Sequence, residues 1–239
     1  IYLTIYRVAH DSMIVNSLMN AARNGKKVTV FVELKARFDE ENNLEWAARM
    51  KEAGVKIIYS IPGYKVHAKM ALVKRRESGR VKYYGLLSSG NFNENTSLLY
   101  TDHALLTSHP AIVSEMELLF IFFSFRVQPK KYQLLNFEHL LVAQFNLQKR
   151  FLALIDQEIL FAKDGKKAAI TIKINGLEDK VLITKLYEAS NAGVQIQLIV
   201  RSVCCLIPGV PGMSENIVVT RIVDRFLEHG RVFIFNNND

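Results

Sequence analysis

The hydrophobic and polar positions of this chain follow a plan that is used twice. From residue 26 the run "KKVTVFVELKAR" is rich in β-branched residues and predicts a strand. It leads into "FDEENNLEWAARMKEAG", a predicted helix with Asp39 near its start, acids in its first turn and Gly54 at its end. A second strand, "VKIIYSI", follows. From residue 166 the order recurs as "KKAAITIKIN", then "LEDKVLITKLYEASNAG" closing on Gly193, then "VQIQLIV". The helix-end phrases "KEAGVKI" and "SNAGVQI" superpose directly, which matches the two sets strand for strand. Two strand-helix-strand units of one design predict parallel sheets covered by helices.

A different pattern occupies "GYKVHAKMALV", residues 63–73. Read as a strand leaving a Pro-Gly turn, it projects His67 and Lys69 to one face and Val66, Ala68 and Met70 to the other. An imidazole and an ammonium then share one face while the opposite face is apolar. An exposed edge strand would give the same pattern, and with 6 histidines and 31 Lys and Arg in 239 residues roughly one H-x-[KR] arises by chance. The second occurrence changes the picture. "FLEHGRVFIF" (226–235) again sets a histidine two residues before a base, His229 and Arg231, on an apolar strand at the equivalent point of the repeated plan. A duplicated pair related by a pseudo-two-fold axis would bring both imidazoles into one cleft. The polar stretch "RVQPKKYQLLN" (126–136) is the expected boundary, giving domains over 1–130 and 131–239.

Composition narrows the class. About half of the residues are apolar (49%), enough for a substantial core in one or two domains. The richest apolar stretch, "MELLFIFFSF" (116–125), is too short for a membrane span and is expected as a buried helix or a packing surface. The chain opens in strand-like "IYLTIYRVA" without signal-peptide features, an opening expected of a piece of a longer protein. Cys204 and Cys205 are neighbours, which suits neither an ordinary disulfide nor metal-ligand spacing and fits a reducing, cytoplasmic setting. A net charge of +8 and a pI near 9.4 point to a polyanionic partner: nucleic acid, anionic lipid or polymeric phosphate. The bases are dispersed, with no basic helix or aromatic-rich single-strand platform, which argues against sequence-specific nucleic-acid binding.

The paired groups have a chemistry in common. A neutral imidazole is a competent nucleophile toward phosphorus, and its second nitrogen can be oriented by a neighbour. Phosphoryl transfer otherwise needs positive charge aimed at the equatorial oxygens and in-line placement of the attacking and leaving groups. Lys69 and Arg231, set on the same faces as the histidines, would supply such charge.

The order H-x-K followed by "SSGNFN" (88–93) resembles the phospholipase D superfamily, whose signature is H-x-K-x4-D followed by G-S-x-N. Lys74 stands at the aspartate position here, which argues against ordinary phosphodiester hydrolysis. Longer blocks, "VELKARFDEENNLEWA", "HAKMALV", "GNFNENTSLLYTDHALLT", "LIVRSVCCLIPGVPGMSENI" and "FLEHGRVFIF", resemble the C-terminal half of the bacterial polyphosphate kinase family. That resemblance implies an α/β fold of two phospholipase D-like domains related by duplication, each a mixed, largely parallel sheet flanked by helices, the second truncated at its C-terminus. It implies reversible transfer of the terminal phosphate of ATP to inorganic polyphosphate through a phosphohistidine, with Mg2+. It also implies a homo-oligomer in the full-length protein and a cytoplasmic location, with association to a membrane surface left open. A phospholipase D-like phosphodiesterase and a non-catalytic polyanion-binding module are the alternatives.

Residue by residue, the resemblance makes His67 the autophosphorylated histidine and His229 its partner, assisting transfer as acid or base. It places Arg7 and Arg37 around a magnesium-phosphate site, and Tyr100 and Arg201 against the nucleotide. A guanidinium has donors and no acceptor, so Arg7 and Arg37 would grip phosphate oxygens that the metal also binds. By themselves these two arginines read first as ion-pair partners of nearby acids, and Tyr100 equally as a ring capping a core. Asn91, in the "GN" turn, either orients His67 or shapes the loop. His10, His103, His109 and His139 have no base two residues on and read as ordinary.

Overall fold

The computed structural model describes residues 1–33, 40–61, 63–125 and 135–239, which form two compact units, Ile1–Leu140 and Leu141–Asp239. The expected boundary at 130/131 falls in 126–134, outside the described residues.

In the first unit β1 (Tyr2–Ile5), α1 (Met13–Arg23), β2 (Thr29–Val32), α2 (Glu40–Glu52) and β3 (Lys56–Tyr59) build a parallel half-sheet. β4 (Lys69–Glu77), β5 (Arg80–Ser88) and β6 (Ala104–Thr107) complete it as antiparallel strands, in the order β3-β2-β1-β4-β5-β6. A single helical turn, α3 (Glu94–Ser97), lies between β5 and β6, and α4 (Pro110–Phe125) follows. Ser12 caps α1 by accepting from the Val15 amide at 3.3 Å. The face carrying Leu3, Ile5, Val30 and Val32 is covered by Val15, Leu18 and Met19 of α1 and Trp46, Ala47 and Met50 of α2. α4, the expected buried helix, covers the other face, with Phe120 5.3 Å from Tyr2 and Phe123 4.9 Å from Phe31 between ring centroids. The helix rides so close that a Cβ on Gly85 of β5 would lie 2.7 Å from Met116 Sδ. No helix among the described residues is long and apolar enough to cross a membrane.

The second unit opens with one π-helical turn (Ala143–Leu147) and α5 (Gln148–Lys163). β7 (Ala169–Ile174), α6 (Lys180–Asn191), β8 (Gln195–Val200), β9 (Ile217–Thr220) and β10 (Val232–Phe235) follow. The sheet order is β9-β8-β7-β10, parallel except for β10. Asp179 caps α6 through the Leu182 amide at 2.9 Å. The core joins Ile155 and Ile159 of α5 and Ile183 and Leu186 of α6 to Ile170, Ile172, Ile196 and Leu198 of the sheet.

The sheet order corrects the internal alignment drawn from the sequence. There β2-α2-β3 was matched to β7-α6-β8, yet the antiparallel strand that follows the H-x-[KR] motif borders β1 in the first unit and β7 in the second. The equivalent strands are therefore β1 and β7, then β2 and β8, a shift of one strand-helix pair. The cause is local sameness. α1, α2, α5 and α6 all end on a positive-φ glycine, at Gly25, Gly54, Gly165 and Gly193. In each case the next amide closes back on a carbonyl five residues earlier, as Val55 does on Met50 and Val194 on Ala189, both at 3.0 Å. Phrases such as "EAGV" and "NAGV" therefore mark any helix end and do not say which end.

Candidate active site

The carboxyl ends of parallel strands are where an open α/β sheet leaves a crevice, and in the first unit the candidate residues gather there. β1 ends at Ile5 and hands over to Tyr6 and Arg7, and β2 ends at Val32 beside Glu33. β4 runs the other way, so its first residue, Lys69, lies at the same edge and faces Ser88, the last residue of β5, across the ladder.

His67 itself is not on a strand, contrary to the alternation read from the sequence. The β1–β4 ladder pairs Tyr2 with Leu72 and Leu3 with Ala71, so residues before Lys69 lie beyond the end of β1 and have no ladder partner. Thr4 stitches this edge instead, its hydroxyl donating to the Ala68 carbonyl at 2.8 Å and accepting from the Met70 amide at 2.9 Å. Freed from the pleat, His67 and Ala68 are exposed while Lys69 is buried at 6% exposure. His229 departs in the same way: β10 begins at Val232, opposite Lys173, and residues 229–231 precede it.

What surrounds His67 is cationic. Lys69 Nζ lies 3.0 Å from His67 Nδ1 and donates to the His67 carbonyl at 2.6 Å. The Tyr6 ring stands edge-on to the imidazole, with centroids 4.7 Å apart and planes at 72°. Three cations ring the Tyr6 centroid, Lys69 at 5.0 Å, Lys65 at 5.3 Å and Arg7 at 5.7 Å. The structure thus brings Arg7, His67 and Lys69 together and adds Tyr6 and Lys65, which the sequence reading missed. Their only sequence signal is position, one residue before Arg7 and two before His67.

Two buried polar residues hold this edge, and they too went unnoticed. Asn43 of α2, fully buried, donates to the carbonyls of Tyr6 (3.0 Å) and Glu33 (3.1 Å) and accepts from the Val8 amide (3.3 Å). Glu33, also fully buried, accepts from the Val66 amide through Oε2 at 2.8 Å.

The "SSGN" turn is built at the end of β5. Ser89 Oγ donates to Asp102 Oδ1 at 2.7 Å and accepts from the His103 amide at 3.0 Å. The Asn91 carbonyl accepts from the Asn93 amide at 2.8 Å, while Asn91 Oδ1 is buried with no hydrogen-bond partner among the described residues. Tyr100 is half-buried nine residues further on. Arg37 lies outside the described residues. Lys74, at the superfamily's aspartate position, is far down β4 and paired with Glu117 at 3.0 Å. Hydrogen bonds to Tyr83 and Glu117 push its amine up from the usual lysine value.

In the second unit the arrangement is analogous. Arg231 Nη1 donates to the carbonyl of His229 at 2.8 Å, just as Lys69 holds that of His67. Arg201, the first residue after β8, donates through Nη1 to the Glu228 carbonyl at 2.7 Å. Lys173 pairs with the Glu228 carboxylate at 2.5 Å.

A magnesium ion does not fit these side chains as its holders. Arg7, Lys65 and Lys69 offer donors only, and no group of three or more His, Cys, Asp or Glu among the described residues forms a metal site. The set suits phosphate oxygens.

The family model for polyphosphate kinase C-terminal domain 1 matches residues 1–129, and that for polyphosphate kinase C-terminal domain 2 matches residues 140–239. A polyphosphate kinase of Yersinia pestis is 50% identical over 237 residues, 99% of this chain and 34% of that protein. The polyphosphate kinase of Escherichia coli (strain K12) is 48% identical over 237 residues, again 99% and 34%. The crystal structure of polyphosphate kinase from Porphyromonas gingivalis superposes with a TM-score of 0.86 at 48% identity, covering 99% of this chain and 38% of that one. The chain spans about a third of the length of the curated relatives it matches.

Proposed function

This chain belongs to the polyphosphate kinase family, and from that premise we propose that it forms part of an enzyme transferring the terminal phosphate of ATP to inorganic polyphosphate through a phosphohistidine at His67. The observation that carries the reading is the exposed imidazole with the Lys69 ammonium on its Nδ1, set beside Arg7 and Lys65 around one tyrosine ring. In the first half-reaction a ring nitrogen's lone pair forms the N–P bond as the bond from phosphorus to the ADP oxygen breaks. In the second, the terminal oxygen of the polymer attacks the phosphohistidine and the N–P bond breaks, which regenerates the imidazole and lengthens the chain by one phosphate. Both steps spread charge over three equatorial oxygens, and the clustered cations answer that charge.

The remaining roles belong to the same proposal. His229 assists transfer as acid or base, Arg7 and Arg37 grip phosphate oxygens, and Tyr100, Arg201 and Arg231 serve the nucleotide and phosphates. Mg2+ would be held by the phosphates of ATP or ADP and would offset their charge, with Arg7 and Arg37 gripping the phosphate oxygens around it. The reading carries with it a homo-oligomeric full-length protein, a cytoplasmic setting and no sequence-specific nucleic-acid partner. The phosphodiesterase alternative is disfavoured by Lys74, whose ammonium is engaged with Glu117.

The test uses the full-length protein with γ-labelled ATP. Wild type should form an acid-labile phosphoprotein and extend polyphosphate. His67→Ala should abolish the phosphoprotein, and His229→Ala should fold normally while transfer falls. Near-normal chain extension by the His67→Ala protein would overturn the covalent route.

A further inference from the structure

The corrected alignment of the two units places Glu33 and Arg201 at the same point. Each is the first residue after the second parallel strand, and each donates its backbone amide to the last residue of the first strand, Glu33 to Ile5 at 2.9 Å and Arg201 to Ile174 at 3.1 Å. Each side chain then grips the main chain of the residue immediately before the histidine. Glu33 Oε2 accepts from the amide of Val66, and Arg201 Nη1 donates to the carbonyl of Glu228. One brace uses an acceptor and the other a donor, but the point of support is the same.

From this equivalence we infer that Glu33 is a positioning residue that sets the backbone from which His67 presents its ring, as Arg201 does for His229. His67 lies past the end of the β1–β4 ladder, so β-pairing does not fix the residue before it. A carboxylate is suited to that task because it accepts strongly from a backbone amide, and Asn43 holds the main chain that carries it, donating to the Glu33 backbone carbonyl at 3.1 Å. Asn43 also pins Tyr6 and Val8, so Tyr6, Arg7 and His67 are referred to one buried pair. A carboxyl group held at 0% exposure is costly to bury unless its oxygens are hydrogen-bonded, and the Val66 amide supplies one such bond.

The significance for catalysis rests on the proposal that His67 is phosphorylated, and the test keeps the two apart. In the full-length enzyme, Glu33→Leu should leave ATP binding unchanged but slow single-turnover phosphorylation of His67 on the order of 10²-fold, the size of a small misplacement of a reacting group. Hydrogen exchange at the Val66 and His67 amides should accelerate in the same protein. Glu33→Gln, whose carbonyl oxygen can take the same amide, should restore the protection and most of the rate. Should Glu33→Leu not fold, Glu33→Asp, whose carboxylate stops one methylene short, carries the same expectation. Wild-type rate and protection in the Leu protein, or a Gln protein as slow as the Leu one, would overturn the inference. If wild type forms no phosphohistidine at His67, the proposed function fails, and exchange at Val66 and His67 alone decides the positioning role.

Discussion

Lys69 Nζ lies 3.0 Å from Nδ1 of His67 and 2.6 Å from the carbonyl oxygen of the same histidine. An ammonium has donors only, so the ring nitrogen it meets accepts. With the proton of the neutral imidazole on Nε2, the lone pair on Nδ1 is the one that would form the N–P bond, as Lys69 turns from the ring to the incoming phosphoryl oxygens. The second residue of the H-x-[KR] pair thus serves the first: it ties ring and main chain together while holding a positive charge against the nucleophile. Arg231 ties the His229 main chain in the same manner.

Replacing Lys69 by Met should therefore do more than remove a charge. The ring loses the donor that fixes its tautomer and the phosphoryl oxygens lose a neighbouring cation, so phosphorylation of His67 should fall on the order of 10²–10³-fold, the usual loss for one aligned donor at a site of developing negative charge. Imidazole 15N shifts measure the tautomer directly: wild type should show Nδ1 as the unprotonated nitrogen, and Lys69→Met a mixture. A Met variant with the wild-type ring signature would remove Lys69 from this role.

Gly90 offers a packing test of the "SSGN" turn. A Cβ there would overlap Asp102 Oδ2, on the carboxylate that Ser89 Oγ bonds at 2.7 Å. Gly90→Ala should cost about 0.5–1.5 kcal/mol, the worth of one hydrogen bond, by pushing the exposed Asp102 carboxylate off Ser89. In urea denaturation the double variant with Asp102→Ala should lose less than the sum of the two single changes. Strict additivity would mean that the two residues do not compete for space.

Glu115 of α4 gives a pH dependence with a definite sign. Burial pushes its carboxyl up, but the amides of Glu138, Leu140 and His139 together with the His139 ring draw it further down, to below the usual 4.5. A depressed carboxyl contributes stability that is present above its unfolded value and lost as the pH falls through the folded one. The stability gap between wild type and Glu115→Leu should be full at neutral pH and shrink from about 4.5 downward. Denaturation curves at a series of pH values measure it, and a constant gap down to strong acid would contradict this assignment.

In the second unit Glu158 of α5, 1% exposed, accepts from the Ala169 amide at 3.0 Å and the Asn237 amide at 2.6 Å. It fastens the start of β7 and the turn after β10 to one helix. Glu158→Leu should destabilise by about 2–4 kcal/mol, since two amide donors lose their acceptor. Glu158→Gln, with one carbonyl oxygen remaining, should lose roughly half of that. Equal stability of the Leu variant and wild type in urea would show that water replaces the carboxylate at no cost.

Much of this molecule is written locally and is legible in the chain. The glycines at 54 and 193 end their helices as read, while Asp39, read near the start of α2, lies outside the described residues. "VQIQLIV" alternates in burial along β8, and "MELLFIFFSF" is a helix with Met116, Leu119, Phe120, Phe122 and Phe123 buried. These features depend on backbone propensity and on period, which neighbouring residues fix. The H-x-[KR] pairs are likewise local, because the base reaches a carbonyl only two residues behind it.

Other features needed contacts across the sheet. Which strand borders which was not in the sequence, because all four of these helices end on the same glycine geometry, and only the ladder between β1 and β4 and that between β7 and β10 distinguish one strand-helix unit from the next. The histidines were read onto strands because alternation has no marker for the point where a partner strand runs out, and here β1 stops short of His67. Glu33 stands 33 residues from the amide it holds, and Asn43 stands 35 and 37 residues from Val8 and Tyr6. Their burial and partners exist only once β1, β2 and α2 have packed, since a carboxylate and an amide in a polar stretch have no reason to face inward until the folded chain brings backbone groups that only they can satisfy.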